Sequence, residues 1–276
     1  MPGTRLSIAT TIVTIMAADP DPAGLYRLFA WLSPSFPTGG YSYSHGLEAA
    51  AADGSVRDRA TLEAWIAAIL RYGSGRIDAD LFRDAYRAAE GGDDVVLGEV
   101  NRRGAAYRAT TELALESAAQ GAAFLATVKA AWQEFLLATP PHPDPLPAGG
   151  AREIGTPSPR HRGEREGPAA TPWEGEGPTC HAVAVGAAAA GAGVALEDAL
   201  VLYLQAFAGN LMSAGLRLGL IGQTDGQRIL AALEKLIGTC ATASIARNPE
   251  DFGSAAFAAD LASIAHETQY SRLFRS

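Results

Sequence analysis

Apolar residues in this chain recur every three to four positions, and no credible series at period two appears beyond the first twenty-odd residues. In Thr61–Gly73 the apolar positions are Leu62, Trp65, Ile66, Ile69 and Leu70, and Asp58 stands where an N-cap belongs. In Asp225–Cys240 they are Ile229, Leu230, Leu233, Leu236, Ile237 and Cys240. Asp78–Glu90 has the same pattern and stops at Gly91-Gly92, after which Asp93 or Asp94 can cap a helix through Arg103. Thr110–Leu137 is rich in Ala, Leu and Glu and predicts one or two long helices. A helix that is apolar along one stripe must bury it against another helix. The expected fold is therefore all-α, a single helical-bundle domain of about ten helices. Strands alternating with helices, as a nucleotide-binding sheet requires, are missing.

Residues 140–178 are a different material. They hold ten of the 16 prolines, seven glycines and few large apolar residues, so they read as a disordered insertion that can be removed. The insertion divides an N-terminal helical half, 25–139, from a C-terminal half, 179–262. Residues 263–276 form a tail and 1–24 a leader without fold. Within the leader, Leu6–Ala18 faintly resembles the apolar part of a signal peptide, but its basic flank is only Arg5, and Met16 is a possible true start. Ala182–Leu196 and Ala199–Leu216 carry no charge until Leu196 and Leu216 respectively. The first is short and rich in Ala and Gly, and Gln205, Asn210 and Ser213 interrupt the second. Both read as buried helices of a bundle and not as membrane spans. The run Gly186–Gly191 is all Gly and Ala, which suits a close helix crossing.

With 276 residues, 48% of them hydrophobic, the chain can bury a full core. Its net charge of -8 argues against nucleic-acid binding, which needs clustered cations. Lys129 and Lys235 are the only lysines and neither follows a glycine, so the phosphate-cradling Gly-Lys-Ser/Thr loop is missing. Cys180 and Cys240 make neither a disulfide framework nor a metal spacing, and a reducing cytoplasm is expected. Cys180 and His181 are adjacent, but neighbours on a helix diverge by about 100° and do not chelate one ion from one face. Ser44 and His45 could be offered as nucleophile and base. They also diverge, and no Gly-x-Ser-x-Gly elbow surrounds them.

Two segments stand out as contact surface. Ser33–Glu48 is a turn rich in Pro, Gly, Ser and Tyr, and Tyr joins apolar area to a hydroxyl. His266–Ser276 gathers Tyr270, Leu273, Phe274 and two arginines where a chain is usually polar and frayed. Such a tail either folds back on its own core or orders on a partner. The docking reading predicts that truncation after Gln269 leaves the core folded.

Four segments together resemble the UreF family of urease accessory proteins. They are Ser35–Glu48, His181–Gly186, Gly222–Arg228 and His266–Ser276, in that order within an Ala-rich helical chain. The resemblance covers roughly Leu25 to Ser276 apart from the insertion. It implies an all-α homodimer that is not an enzyme and has no cofactor of its own, nickel and GTP being handled by partners. It also implies a complex with the UreD (or UreH) scaffold, recruitment of the GTPase UreG, control of its GTP hydrolysis and delivery of nickel to apo-urease. No nucleic acid or membrane is implied. By the same resemblance Tyr270, Ser271, Arg272, Leu273, Phe274 and Arg275 form a tail that orders against the scaffold. Tyr41 and Arg272 would help recruit the GTPase, and Arg217 would take part in controlling it. The rivals are a helical interaction module with another partner, and a hydrolase built on Ser44 and His45.

Overall fold

The computed structural model describes residues 22–132 and 178–276. The Leu6–Ala18 stretch and nearly all of the insertion lie outside the described residues. Every regular element among the described residues is helical: α1 (Pro22–Leu32), α2 (Leu47–Ala52), α3 (Arg59–Tyr72), α4 (Ser74–Gly91), α5 (Asp94–Ala106), α6 (Thr111–Ala131), α7 (His181–Gly191), α8 (Leu196–Arg217), α9 (Gln223–Ala246) and α10 (Phe257–Glu267). Short 3₁₀ turns occupy Gly40–Ser42 and Pro249–Asp251. The fold is the expected all-α bundle.

Local chemistry sets the boundaries. Asp58 caps α3 by accepting the Thr61 N–H at 2.9 Å, while the Thr61 hydroxyl accepts the Asp58 N–H, a reciprocal box. Asp93 caps α5 through Val96 N at 2.9 Å, and Thr110 caps α6 through Leu113 N at 3.2 Å. Two boundaries differ from the sequence reading. α1 begins at Pro22, inside the expected leader, because proline suits a first helical position where its missing N–H is not needed. α10 continues to Glu267, across the boundary expected at 262.

α4 is the central helix and touches α3, α5, α7, α8 and α9. Its Ile77, Leu81, Phe82 and Ala85 are buried in one continuous core with Val183, Val185 and Ala189 of α7 and Leu200 and Leu204 of α8. Burial of each such large side chain stabilises by about 1.5–3 kcal/mol before entropy is counted. The small residues of α7 serve the close crossing expected of them. A Cβ on Gly186 would stand 2.5 Å from the Phe82 carbonyl oxygen, so only glycine lets the two backbones meet. The return of the chain to the core is as tight: a Cβ on Gly121 of α6 would stand 1.9 Å from the Thr179 carbonyl oxygen.

A buried ionic network fastens α9 to α4. Asp80 accepts from Ser244 Oγ at 2.8 Å and Arg247 Nη1 at 2.5 Å, and Arg83 donates to the Ser244 carbonyl. α8 and α9 are long and apolar enough to cross a bilayer by length and composition, and half of the α8 window lies inside the core.

Candidate functional site

The tail folds back. After α10, residues 268–276 run over a floor made by α2, α6 and the Ser42–Gly46 turn, where three glutamates receive them. Glu48 of α2 accepts Leu273 N at 2.7 Å and Phe274 N at 2.9 Å. Glu112 of α6 accepts Arg272 Nη1 at 2.7 Å. Glu116, one turn further along α6, accepts the Ser276 hydroxyl at 2.9 Å. His266, fully buried in the last turn of α10, bridges the first two: its Nδ1 lies 2.7 Å from Glu112 and its Nε2 3.1 Å from Glu48. Backbone pairing completes the seat, with Arg275 N donating to Ser42 O at 2.7 Å and Ser44 N to Ser276 O at 2.8 Å.

This geometry corrects part of the tail reading. Phe274 is only 4% exposed, so it is packed on its own core and not held out as a partner anchor. Ser276 is also buried. The physical reason is Glu48: a buried carboxylate needs donors, and two consecutive tail amides supply them. Tyr270, Leu273, Ser271 and Arg275 remain exposed, and Arg272 keeps 40% of its side chain in solvent beyond Glu112.

Three residues expected at the site meet. The Arg217 guanidinium, in the last turn of α8, sits 4.4 Å from the centre of the Phe274 ring and donates to the Tyr41 carbonyl oxygen. Partial burial draws Arg217 below the ordinary arginine value, and it stays charged at neutral pH. The Tyr41 ring itself points outward, 70% exposed, from the Gly40–Ser42 turn.

Beneath this turn lies a cavity of about 710 Å³ between the Ser33–Tyr41 segment and α8. Its inner end is polar, bordered by His45, Glu116, Gln120, His181 and Tyr203. His45 has φ 52°, an unusual backbone for a side chain with a Cβ. Its Nε2 faces Glu116 at 2.9 Å and its Nδ1 faces Ser74 Oγ at 3.2 Å. Burial lowers the pKa of His45, but the Glu116 carboxylate outweighs that and leaves it raised. His181 is pushed down to about 4 by burial. Behind them a recess of about 30 Å³ holds Asp78, which accepts from Arg108 Nη1 at 2.7 Å and Tyr203 OH at 3.3 Å.

The arrangement does not assemble the Ser44–His45 pair. The Ser44 hydroxyl donates to the Ser276 carbonyl oxygen, and His45 turns the other way. The row Ser74–His45–Glu116 escaped the sequence reading, yet Ser74 does not border the cavity, so the row braces the turn. Cys180 and His181 diverge as well: the Cys180 amide and thiol engage Asn101, while the His181 ring packs near Phe124 and Tyr203. Among the described residues no group of three or more His, Cys, Asp or Glu could hold a metal ion. The three glutamates and His266 were also missed. The usable trace was Glu112 and Glu116 at i and i+4, one face of α6 beside Leu113 and Gln120.

Comparison with known proteins gives a consistent answer. The family model described as UreF matches residues 56–234. The urease accessory protein UreF of Rhodopseudomonas palustris (strain HaA2) is 41% identical over 254 residues, covering 92% of this chain and 94% of that one. The UreF of Bradyrhizobium diazoefficiens is 40% identical over 256 residues, 93% of each chain. The UreF of Brucella ovis is 40% identical over 267 residues, 96% of this chain and 100% of the relative. With a helical bundle, a tail seated on α2 and α6, and relatives matched along nearly their whole length, the chain belongs to the UreF family of urease accessory proteins.

Proposed function

We propose that this chain is a non-enzymatic adaptor in assembly of the urease nickel centre. It works as a homodimer in the cytoplasm, binds the UreD/UreH scaffold, recruits the GTPase UreG and gates its GTP hydrolysis, so that nickel reaches apo-urease. Nickel and GTP are held by the partners.

The observation that carries this reading is the clasp of Arg217 on Phe274 and the Tyr41 carbonyl. It fixes the seated tail to the Tyr41 turn, which joins the outward Tyr41 ring and the Arg272 guanidinium to one folded unit. An aromatic ring and a planar fork of donors on a rigid base are the usual anchors of a protein interface. The exposed Leu273 and Tyr270 add apolar area on the same tail. Dimerisation draws support from the unpartnered stripe Phe257, Leu261 and Ile264 on α10, all at least half exposed.

The test is gel filtration of the full chain with scaffold and GTPase. A complex of all three is expected from the wild type. Arg272→Ala should retain the scaffold and lose the GTPase, with urease left unactivated. Failure of the wild-type chain to bind the scaffold would overturn the adaptor reading. Wild-type GTPase affinity in Arg272→Ala would overturn the role given to that residue.

A further inference from the structure

We propose that the groove between α3, α4 and α9 is a docking site for an extended acidic segment of a partner protein. The groove has a volume of about 480 Å³ and shares no lining residue with the cavity beneath the Tyr41 turn. Arg71, Arg76, Lys235 and Arg247 line it, and no carboxylate does. In a chain of net charge -8, Arg71 and Lys235, unpaired among the described residues, with Arg76 beside them, leave this groove locally positive.

The charges are available in different degrees. Arg247 is already engaged by Asp80 at 2.5 Å. Arg76 donates Nη2 to the Asp251 carbonyl oxygen at 2.8 Å, while its buried Nε has no partner among the described residues. Arg71 and Lys235 are exposed and make no ion pair among the described residues. Both project from helices whose packing fixes the groove walls.

The spacing selects the ligand. Lys235 and Arg247 are twelve positions apart along α9 and its C-cap, which is about 18 Å at 1.5 Å per residue. That backbone separation is several times the width of one phosphate, and Arg247 at its far end is already held by Asp80. An extended chain of five or six residues spans that length at about 3.3 Å per residue. The floor is apolar, with Leu70, Ala79 and Leu236, so the segment should alternate acidic residues with a modest apolar one. Cys240 lies midway on the floor and feels both Arg71 and Arg247, which makes it a reporter of occupancy.

The experiment uses the full chain and a fluorescein-labelled octapeptide of Glu and Asp with one central Leu. Binding is read by anisotropy at low and high salt, and Cys240 alkylation by iodoacetamide is followed by mass spectrometry, with buried Cys180 as internal reference. Expected are salt-sensitive binding, slowed alkylation of Cys240, and at least tenfold weaker binding in Arg71→Glu/Lys235→Glu, both surface changes. Arg102→Glu, at an exposed arginine of α5 that does not line the groove, should bind the peptide as the wild type does. Equal affinity in the double variant, no protection of Cys240, or no binding at all would overturn the proposal. So would inorganic pyrophosphate that displaces the peptide and protects Cys240 at the same concentration, since the site would then be one for small anions.

Discussion

The Glu48 carboxylate clasps the backbone of Phe274, taking its N–H at 2.9 Å across 226 positions of chain. Its other oxygen takes Leu273 N, so one side chain on a six-residue helix holds two consecutive peptide units. Glu48→Gln keeps the shape but not the charge, and one amide oxygen must replace two acceptors. Unfolding free energy should fall by about 2 kcal/mol, the scale of a hydrogen bond to a charged group. Urea denaturation measures it, and an unchanged midpoint would show that the tail contributes nothing through this contact.

Truncation after Gln269 is a larger perturbation. It strips Glu48, Glu112 and Glu116 of tail donors and opens the space filled by Phe274. Far-UV circular dichroism should stay helical, because the core lies upstream, but stability should drop by about 4 kcal/mol, combining a lost buried Phe with unpaired carboxylates. A truncated chain as stable as the full one would mean that the tail is dispensable to the core.

Arg217 links the tail to the Tyr41 turn, so its removal should loosen both at once. Arg217→Ala should cost about 1 kcal/mol, from the ring contact and one carbonyl bond. Hydrogen exchange at the Arg275 amide, which pairs with Ser42 O, should quicken. Arg217→Lys retains charge without the flat fork and should recover only part of the protection. Exchange rates unaltered in Arg217→Ala would break the proposed coupling.

The two cavity histidines should act on opposite sides of neutrality. His45 has a raised pKa, so its contribution is full below the unfolded value of about 6.5 and is lost as pH climbs through the folded value. His181 is depressed to about 4, so its neutral form is favoured: stability is full above about pH 6.5 and is lost as pH falls toward 4. Urea unfolding from pH 4 to 8.5 should show His45→Gln flattening the alkaline limb and His181→Gln the acid limb. Identical effects of the two variants on both limbs would contradict the assignment.

The helices were legible because their information is local. Leu62, Ile66 and Ile69 lie on one face of α3 whatever else the chain does, and Asp58 and Asp93 announce the first turns that follow them. The seat of the tail was not legible, because its partners are distant. Nothing near Glu48 says that it will meet His266, and nothing near Phe274 says that Arg217 will cover it. Tyr41 and Arg217 entered through family resemblance, and their contact emerged only in three dimensions. The groove is illegible for the same reason: Arg71 and Lys235 are ordinary surface residues until two helices bring them to line one recess.

The contact between Gly121 and Thr179 has a consequence for how such a chain can change. Thr179 is berthed against α6 about 15 Å from the end of that helix at Ala131, ten residues on at 1.5 Å each. Core packing thus plants two fixed posts, one at Trp132 and one at Pro178, independent of what joins them. Closing a flexible loop between two posts of that kind costs only the logarithm of its length, about 0.6 kcal/mol for each doubling. A bundle whose own packing sets both posts therefore feels a longer flexible join only weakly.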